Sequence, residues 1–142
     1  MNAVFRNVKL NTLPSNKKVN CINKVPEDIE ISADRSHLMN VLTNLIENAI
    51  KYSGEEVKIE VGARAASDGI HISVNDNGNG ISSADKNRIF DRFYRGKASV
   101  TDIPGMGLGL AYVRLLVGAH GGEIIVESAE GNGSTFNITL PQ

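Results

Sequence analysis

Three groups of residues in this chain have types and spacings that could do chemistry. Asn40, Asn44, Asn48 and Lys51 recur at intervals of three or four, which at about 100° per residue places them on one flank of a helix. Asparagine is a poor helix former, so a stripe of three costs stability. Neutral amide oxygens followed by an ammonium are, however, what a cation and an anionic phosphate ligand require. The second group is VNDNGNG, Val74 to Gly80, which places one carboxylate, Asp76, at the end of a strand-like run beside Gly78 and Gly80. The third is Gly105-Met106-Gly107-Leu108-Gly109-Leu110, which runs into an apolar helical pattern. Helix-start amides without obstructing side chains bind phosphates.

Competing readings of VNDNGNG fail on chemistry. Asn77-Gly78 suits a type I′ hairpin, but ISSADKNRIF follows as a capped helix, not a returning strand. A calcium loop beginning at Asn75 would need an acidic first ligand and a bidentate Glu at its twelfth position, where Lys86 stands. A strand ending in one acceptor carboxylate, with glycines admitting a flat ligand, remains, and it suits an exocyclic amine such as that of adenine. There is no GxxxxGKS or GxxxxGKT, which excludes a P-loop, and no GxGxxG follows a strand in a βαβ unit, which argues against a Rossmann site.

The elements that must position these groups follow from periodicity. Asp34 is a candidate N-cap, and Leu38, Val41, Leu42, Leu45, Ile46, Ala49 and Ile50 continue at helical spacing until Ser53-Gly54. Val57 to Val61 and Ile70 to Val74 alternate and predict an antiparallel pair around Ser67-Asp68-Gly69. Ser82, Ser83 and Asp85 start a short helix toward Phe90, and a loop from about Tyr94 to Met106 leads to a second long helix from about Leu108 to Ala119. Glu123 to Glu127 and Thr135 to Leu140 read as closing strands around Glu130-Gly131-Asn132-Gly133. Val4 to Leu10 and Lys18 to Ile22, with Pro14 and Pro26 nearby, read as edge strands. This order predicts an α+β two-layer sandwich, helices on one face of a mixed, mostly antiparallel sheet.

A chain of 142 residues with 41% hydrophobic content supports one domain with a core. A net charge of −1 offers no basic field for nucleic acid. The single Cys21 excludes an internal disulfide framework, and no apolar run is long enough for a membrane span, so a cytoplasmic protein without direct membrane contact is expected.

Taken together, the chain resembles the catalytic and ATP-binding domain of two-component sensor histidine kinases, within the gyrase, chaperone, histidine-kinase and mismatch-repair ATPase superfamily. NLIENAIKYS resembles the asparagine box, DNGNGI the first glycine box, IFDRFYRG the phenylalanine box, GMGLGLAYV the second glycine box and GNGSTFNITLP the closing strand pair. The five stand in family order over Ile31 to Pro141. The resemblance implies the Bergerat ATP-binding fold in 31–142, with 1–30 as shortened N-terminal strands and loops of the same domain. Only Asn11 to Asn16 is available where the family usually carries a helix before the segment Lys17 to Ile22.

The resemblance further implies ATP and Mg²⁺ as cofactors. Asn48 would ligate the metal, Asn44 would support the metal-phosphate end, Lys51 would meet phosphate and Tyr52 would lie against the nucleotide. Asp76 would accept from the adenine amine, with Gly78, Gly80 and Ile81 shaping the pocket and Thr135 closing the adenine side. Phe90 and Phe93 would anchor a lid, and Arg92 or Arg95 would reach the γ-phosphate. Gly105, Gly107 and Gly109 would hinge that lid and present amides to phosphate, with Met106, Leu108 and Leu110 of the same box among the nucleotide-binding positions. Asn44, Lys51, Arg92 and Arg95 are thus the implied catalytic set.

In the chaperone and gyrase branches a Glu one turn before the magnesium Asn activates water; here that position is Asn44, and Glu47 points about 60° away around the helix. Efficient ATP hydrolysis is not expected. No histidine stands in a phosphoacceptor context: His37, His71 and His120 read as structural, so an isolated catalytic domain is expected, a monomer whose partners are the phosphoacceptor histidine domain and, indirectly, a response regulator. The competing functions are a docking or regulatory module of the same fold without kinase activity, and a serine kinase of the anti-sigma-factor type.

Overall fold

The computed structural model describes residues 17–91 and 109–142; the expected strand at Val4 to Leu10, the N-terminal shortening and the loop from Tyr94 to Met106 lie outside them. Its elements run β1 (Lys18–Lys24), α1 (Arg35–Lys51), β2 (Glu56–Ala66), β3 (Gly69–Asp76), α2 (Ser83–Lys86), α3 (Gly109–Ala119), β4 (Glu123–Ser128) and β5 (Ser134–Leu140).

α1 begins where Asp34, in extended conformation, accepts the His37 N–H at 2.9 Å, satisfying one of the amides that a helix start leaves without an internal partner. All seven apolar residues that set its period are buried. Past Lys51 the chain turns out of the helix at Tyr52, whose N–H returns to the Asn48 carbonyl at 3.2 Å. α3 lies beside α1 on the same face of the sheet and buries Val113, Leu116 and Val117.

The described strands form one sheet of order β1-β2-β3-β5-β4, parallel between β1 and β2 and antiparallel elsewhere. The mixed two-layer sandwich expected from the sequence is therefore present. β1 is an edge strand as expected, and its parallel pairing follows from the α1 crossover, because two strands joined by a covering helix enter the sheet from the same end. Ile59, Val61, Ile72, Val74, Phe136 and Ile138 point toward the helices and form the core with them. The alternate set on the other face includes His71, Ser73, Asn75, Thr135, Asn137 and Thr139.

The largest differences from the sequence reading are in two element bounds. β2 runs on to Ala66, beyond Val61, because its hydrogen-bond ladder with β3 continues to the turn after the buried alternation has ended. α2 is a single turn: Ser82 caps it by accepting from Asp85 N–H, and 87–90 continue as turns, with Arg88 and Ile89 N–H both bonded to the Asp85 carbonyl.

The three histidines sit in structural settings. His71 Nε2 meets Asp68 Oδ1 at 2.6 Å across the β2–β3 turn. His120 donates from Nδ1 to the Leu116 carbonyl and accepts the Asp34 N–H at Nε2, the pattern of a neutral ring, while His37 packs edge-on against it. That contact ties the start of α1 to the end of α3.

Candidate nucleotide site

The polar flank of α1 and the end of β3 come together at the C-terminal end of the helix. At one end of this flank, Asn44 donates from Nδ2 to the Asn40 carbonyl at 2.8 Å, so its Oδ1 is the group left to face outward. A Cβ added to Gly109, the first residue of α3, would lie 3.2 Å from that oxygen. The start of α3, where amides have no carbonyl partner within the helix, thus abuts the Asn44 oxygen. Asn48 follows one turn along and Tyr52 one turn further; Asn48, Lys51 and Tyr52 are all half-buried. Eight residues of helix separate Asn44 from Tyr52, about 12 Å of length.

The other end is built around Asp76. Its side chain lies on the helix-facing side of the sheet, and the residue is only 9% exposed. The carboxylate accepts the Gly78 N–H at 2.8 Å and the Ser134 N–H. Burial pushes its pKa above the usual carboxylate range, and the two amide bonds only partly oppose that. A buried acceptor held at a strand end, with lone pairs beyond those its neighbours use, is suited to an amine ligand.

Close approach explains the glycines here. A Cβ at Gly78 would sit 2.7 Å from Ser53 Oγ, 2.8 Å from Asp76 Oδ1 and 3.0 Å from the Tyr52 carbonyl, leaving no room for a side chain between α1 and the carboxylate. Asn79 N–H bonds the Tyr52 carbonyl at 3.1 Å, so the loop after β3 is stitched to the end of α1. On its other side the loop is tied to the β4–β5 turn by Gly131 N–H to the Asn79 carbonyl at 2.7 Å and by Ile81 N–H to Ser128 Oγ at 2.7 Å. Ile81, Phe90 and Leu110 pack partly buried against the core, Phe90 edge-on to Phe136 with ring centres 6.3 Å apart.

One expected position is corrected. Thr135 pairs with Asn75, not with Asp76, and its Oγ1 accepts from Asn75 Nδ2 at 2.6 Å on the face of the sheet away from the helices. Ser134 is the cross-strand partner of Asp76 and shares its face. The signal for this was in the sequence: Phe136, Ile138 and Leu140 alternate inward, and the period of two that puts them there puts residue 134 with them.

Lys17 had no such signal. Its ammonium donates to the Ile50 carbonyl at 2.5 Å and the Ser53 carbonyl at 2.8 Å, with the Lys51 carbonyl at 3.4 Å. A cation there satisfies carbonyls that the helix end leaves open and complements the helix dipole. Lys17→Met is expected to lower the unfolding free energy by about 1–2 kcal/mol, read from urea midpoints; Lys17→Arg should recover part of it.

The structure therefore brings Asn44, Asn48, Lys51, Tyr52, Asp76, Gly78, Gly80, Ile81, Phe90, Gly109 and Leu110 around one region, and moves Thr135 out of it. Arg92, Phe93, Arg95, Gly105, Met106, Gly107 and Leu108 lie outside the described residues.

The fold is a two-layer sandwich in which the end of the amide-bearing helix α1 lies beside a buried strand-end carboxylate, Asp76, and the family match gives its class, the histidine kinase-like ATPases. Residues 33–142 match the family of histidine kinase-, DNA gyrase B- and HSP90-like ATPases, and the chain belongs to that family. It is 41% identical over 127 residues to sensor histidine kinase WalK of Bacillus subtilis (strain 168), a match covering 87% of this chain and 21% of that protein. Among solved structures, the nucleotide-free catalytic domain of histidine kinase ThkA is similar with a TM-score of 0.79 at 31% identity, over 99% of this chain and 91% of that one. Full-length ShkA in complex with AMPPNP is similar with a TM-score of 0.73 at 31% identity, over 87% of this chain and 25% of that one. The chain spans between 13% and 28% of the length of the curated relatives KdpD, WalK and SenX3.

Proposed function

We propose that this chain is the catalytic domain of a sensor histidine kinase, which binds Mg-ATP and donates the γ-phosphoryl group to a histidine on a separate domain. The observation that carries the reading is the placement of Asp76 at one end, and of Asn44 with the start of α3 at the other, of a single α1 flank. In this reading Asp76 accepts from the adenine amine and the helix-start amides at Gly109 meet phosphate.

The donor set fits a magnesium ion that arrives with the nucleotide. Mg²⁺ is commonly held by few protein oxygens, several waters and substrate phosphates, and Asn48, half-buried on the α1 flank one turn after Asn44, offers a neutral oxygen of that kind. Asn48 would supply the protein oxygen, and the bound ion would neutralise phosphate charge. Lys51 adds a compact positive charge on the same flank.

In the transfer, an acceptor imidazole nitrogen forms a bond to the γ-phosphorus as the bond to the β–γ bridging oxygen breaks. ADP leaves with that electron pair, and the imidazole gives up its proton. Such transfers depend mainly on positioning and charge neutralisation. This chain's residues fix the nucleotide at both ends, and Asn44 stands where a water-activating acid would be needed, so protein transfer is favoured over hydrolysis.

Among the described residues no helix is long and apolar enough to cross a membrane. We place the domain in the cytoplasm, as a monomer whose parent also engages a response regulator.

Calorimetric titration of the chain with ADP, with and without Mg²⁺, should give saturable one-to-one binding that magnesium tightens; no heat with either would overturn the reading. Mixing the chain with a separately made phosphoacceptor hairpin and γ-labelled ATP should then place acid-labile label on the hairpin histidine. Label on a serine would point to the anti-sigma-factor type, and binding without transfer to a regulatory module.

A further inference from the structure

The chain carries three Asn–Gly pairs, Asn77–Gly78, Asn79–Gly80 and Asn132–Gly133. All lie in the two turns that are tied together at the base end of the site. Asparagine before glycine is chemically fragile, because no side chain on the glycine keeps its amide nitrogen away from the asparagine Cγ. When that nitrogen bonds to Cγ, the Cγ–Nδ2 bond breaks and ammonia leaves with the electron pair; the glycine amide proton reaches it by way of solvent. The five-membered succinimide then adds water at either carbonyl. One opening gives Asp; the other gives isoaspartate, whose main chain is longer by one methylene.

The fold separates the three pairs. Asn77 is locked, since its Oδ1 accepts the Lys58 N–H at 2.9 Å and its Nδ2 donates to the Glu56 carbonyl at 3.2 Å. The attacking amide of that pair is held too, by the Gly78 N–H bond to Asp76 Oδ1 at 2.8 Å. Asn132 is exposed, but Gly133 is buried, which screens its N–H from solvent base. Asn79 is exposed, and among the described residues neither its side-chain amide nor the Gly80 N–H has a hydrogen-bond partner. Attack at Asn79 therefore breaks no bond between a described residue and either reacting group.

We infer that Asn79–Gly80 is a site of spontaneous deamidation whose isoaspartyl product disables the base end; the effect on the base end rests on the nucleotide reading proposed above. The main chain around Asn79 has no slack. Its N–H bonds the Tyr52 carbonyl at 3.1 Å, its carbonyl takes the Gly131 N–H at 2.7 Å, and Ile81 N–H bonds Ser128 Oγ at 2.7 Å. Between these anchors Gly80 is seated so closely that an added Cβ would overlap the Ala129 carbonyl. In isoaspartate the Asn79 carbonyl carbon becomes a pendant carboxylate and the extra methylene enters this closed path. The main-chain bond to Gly131 is lost, and Gly80 and Ile81 are displaced. The Asp product leaves the chain path unchanged and adds only an exposed charge. Nucleotide affinity then falls with the age of the chain.

The test incubates the folded chain at mildly alkaline pH beside a sample in concentrated urea, and follows the amide-to-acid mass increase at each asparagine by peptide fragmentation. In the folded chain Asn79 should convert more than about tenfold faster than Asn77, the worth of three hydrogen bonds of which one is to a carboxylate. In urea the two, each followed by glycine, should convert at nearly the same rate. Calorimetry with ADP and Mg²⁺ should show binding sites per chain falling in step with isoaspartate at position 79. Asn79→Gln, whose longer side chain closes a ring far more slowly, should keep its sites over the same incubation. Asn79→Asp should bind ADP within about fivefold of the fresh wild type, the reach of one exposed charge, which assigns the loss to the lengthened main chain. No conversion at Asn79, equal folded-state rates at Asn77 and Asn79, or conversion confined to Asn132 would overturn the site. Undiminished ADP binding by chains carrying isoaspartate at position 79 would overturn its effect. A fresh chain that binds no ADP would overturn the nucleotide reading, while the conversion rates still decide the site.

Discussion

Asp76→Asn should weaken ADP binding about a hundredfold or more while leaving the fold intact. The substitution exchanges a charged acceptor for an amide, and a hydrogen bond involving a charged group contributes about 1.5–3 kcal/mol. The amide nitrogen also presents donors toward the adenine amine, which is itself a donor, so one orientation of the new side chain is repulsive. About 3 kcal/mol in total corresponds to roughly two decades of affinity. The fold should survive because the amide oxygen can still accept from Gly78 and Ser134, the two N–H groups now bound by the carboxylate.

The pH dependence of the same side chain makes the prediction sharper. Burial is the largest influence on Asp76 and raises its pKa. The folded chain therefore holds this proton more tightly than the unfolded chain does. The group's contribution to stability is fully present below the unfolded-state value and is lost as pH rises through the folded-state value. At neutral pH its ionisation works against the empty fold, so Asp76→Asn should melt at the same temperature as wild type or slightly higher, with the difference vanishing in acid.

Ligand binding runs the other way, since the adenine amine needs the ionised acceptor. Wild-type ADP affinity should fall on acidification, starting at a higher pH than an ordinary carboxylate would give, and the Asn variant should lack that component. Thermal melts and calorimetric titrations across pH decide it. Undiminished ADP binding by a folded Asp76→Asn would remove the base-recognition role.

The sequence was most legible where one physical signal dominated. α1 could be read from Asp34 to Tyr52 because its cap, its apolar period and its terminator agree, and the site stripe is the complement of that apolar face. Asp76 could be read because β3 alternates up to it and a helix, not a strand, follows. Thr135 was placed by motif when the alternation of β5 already assigned the inward position to Ser134. Pairing partners were less legible: nothing local in KVNCINK says that it lies parallel to β2, since that depends on the path of α1 between them. Lys17 and Ser128 were invisible for the same reason, each acting on backbone brought near only by folding.

Gly80→Ala is expected to be strongly destabilising. Gly80 has φ of +72°, where a side chain costs about 1–2 kcal/mol. A Cβ there would lie 1.9 Å from the Ala129 carbonyl oxygen and 2.8 Å from its carbon, both backbone atoms that cannot rotate away. Relieving such an overlap typically costs about 1–3 kcal/mol more, so a total of about 2–5 kcal/mol is expected.

The only relief is for the loop after β3 and the β4–β5 turn to part, which pulls Asn79 from Gly131 and Ile81 from Ser128. Those bonds hold the floor of the base end against Ser134 and Asp76. ADP affinity should therefore fall along with the urea midpoint, at unchanged denaturant dependence if the chain still unfolds in one step. Gly54→Ala is the control: it has no neighbour within 4 Å, and alanine's smaller unfolded-state entropy should leave stability unchanged or raise it slightly. A Gly80→Ala chain as stable as Gly54→Ala would mean that the loop is not seated on the Ala129 carbonyl, and the tie between the two glycine turns that shapes the base end would have to be abandoned.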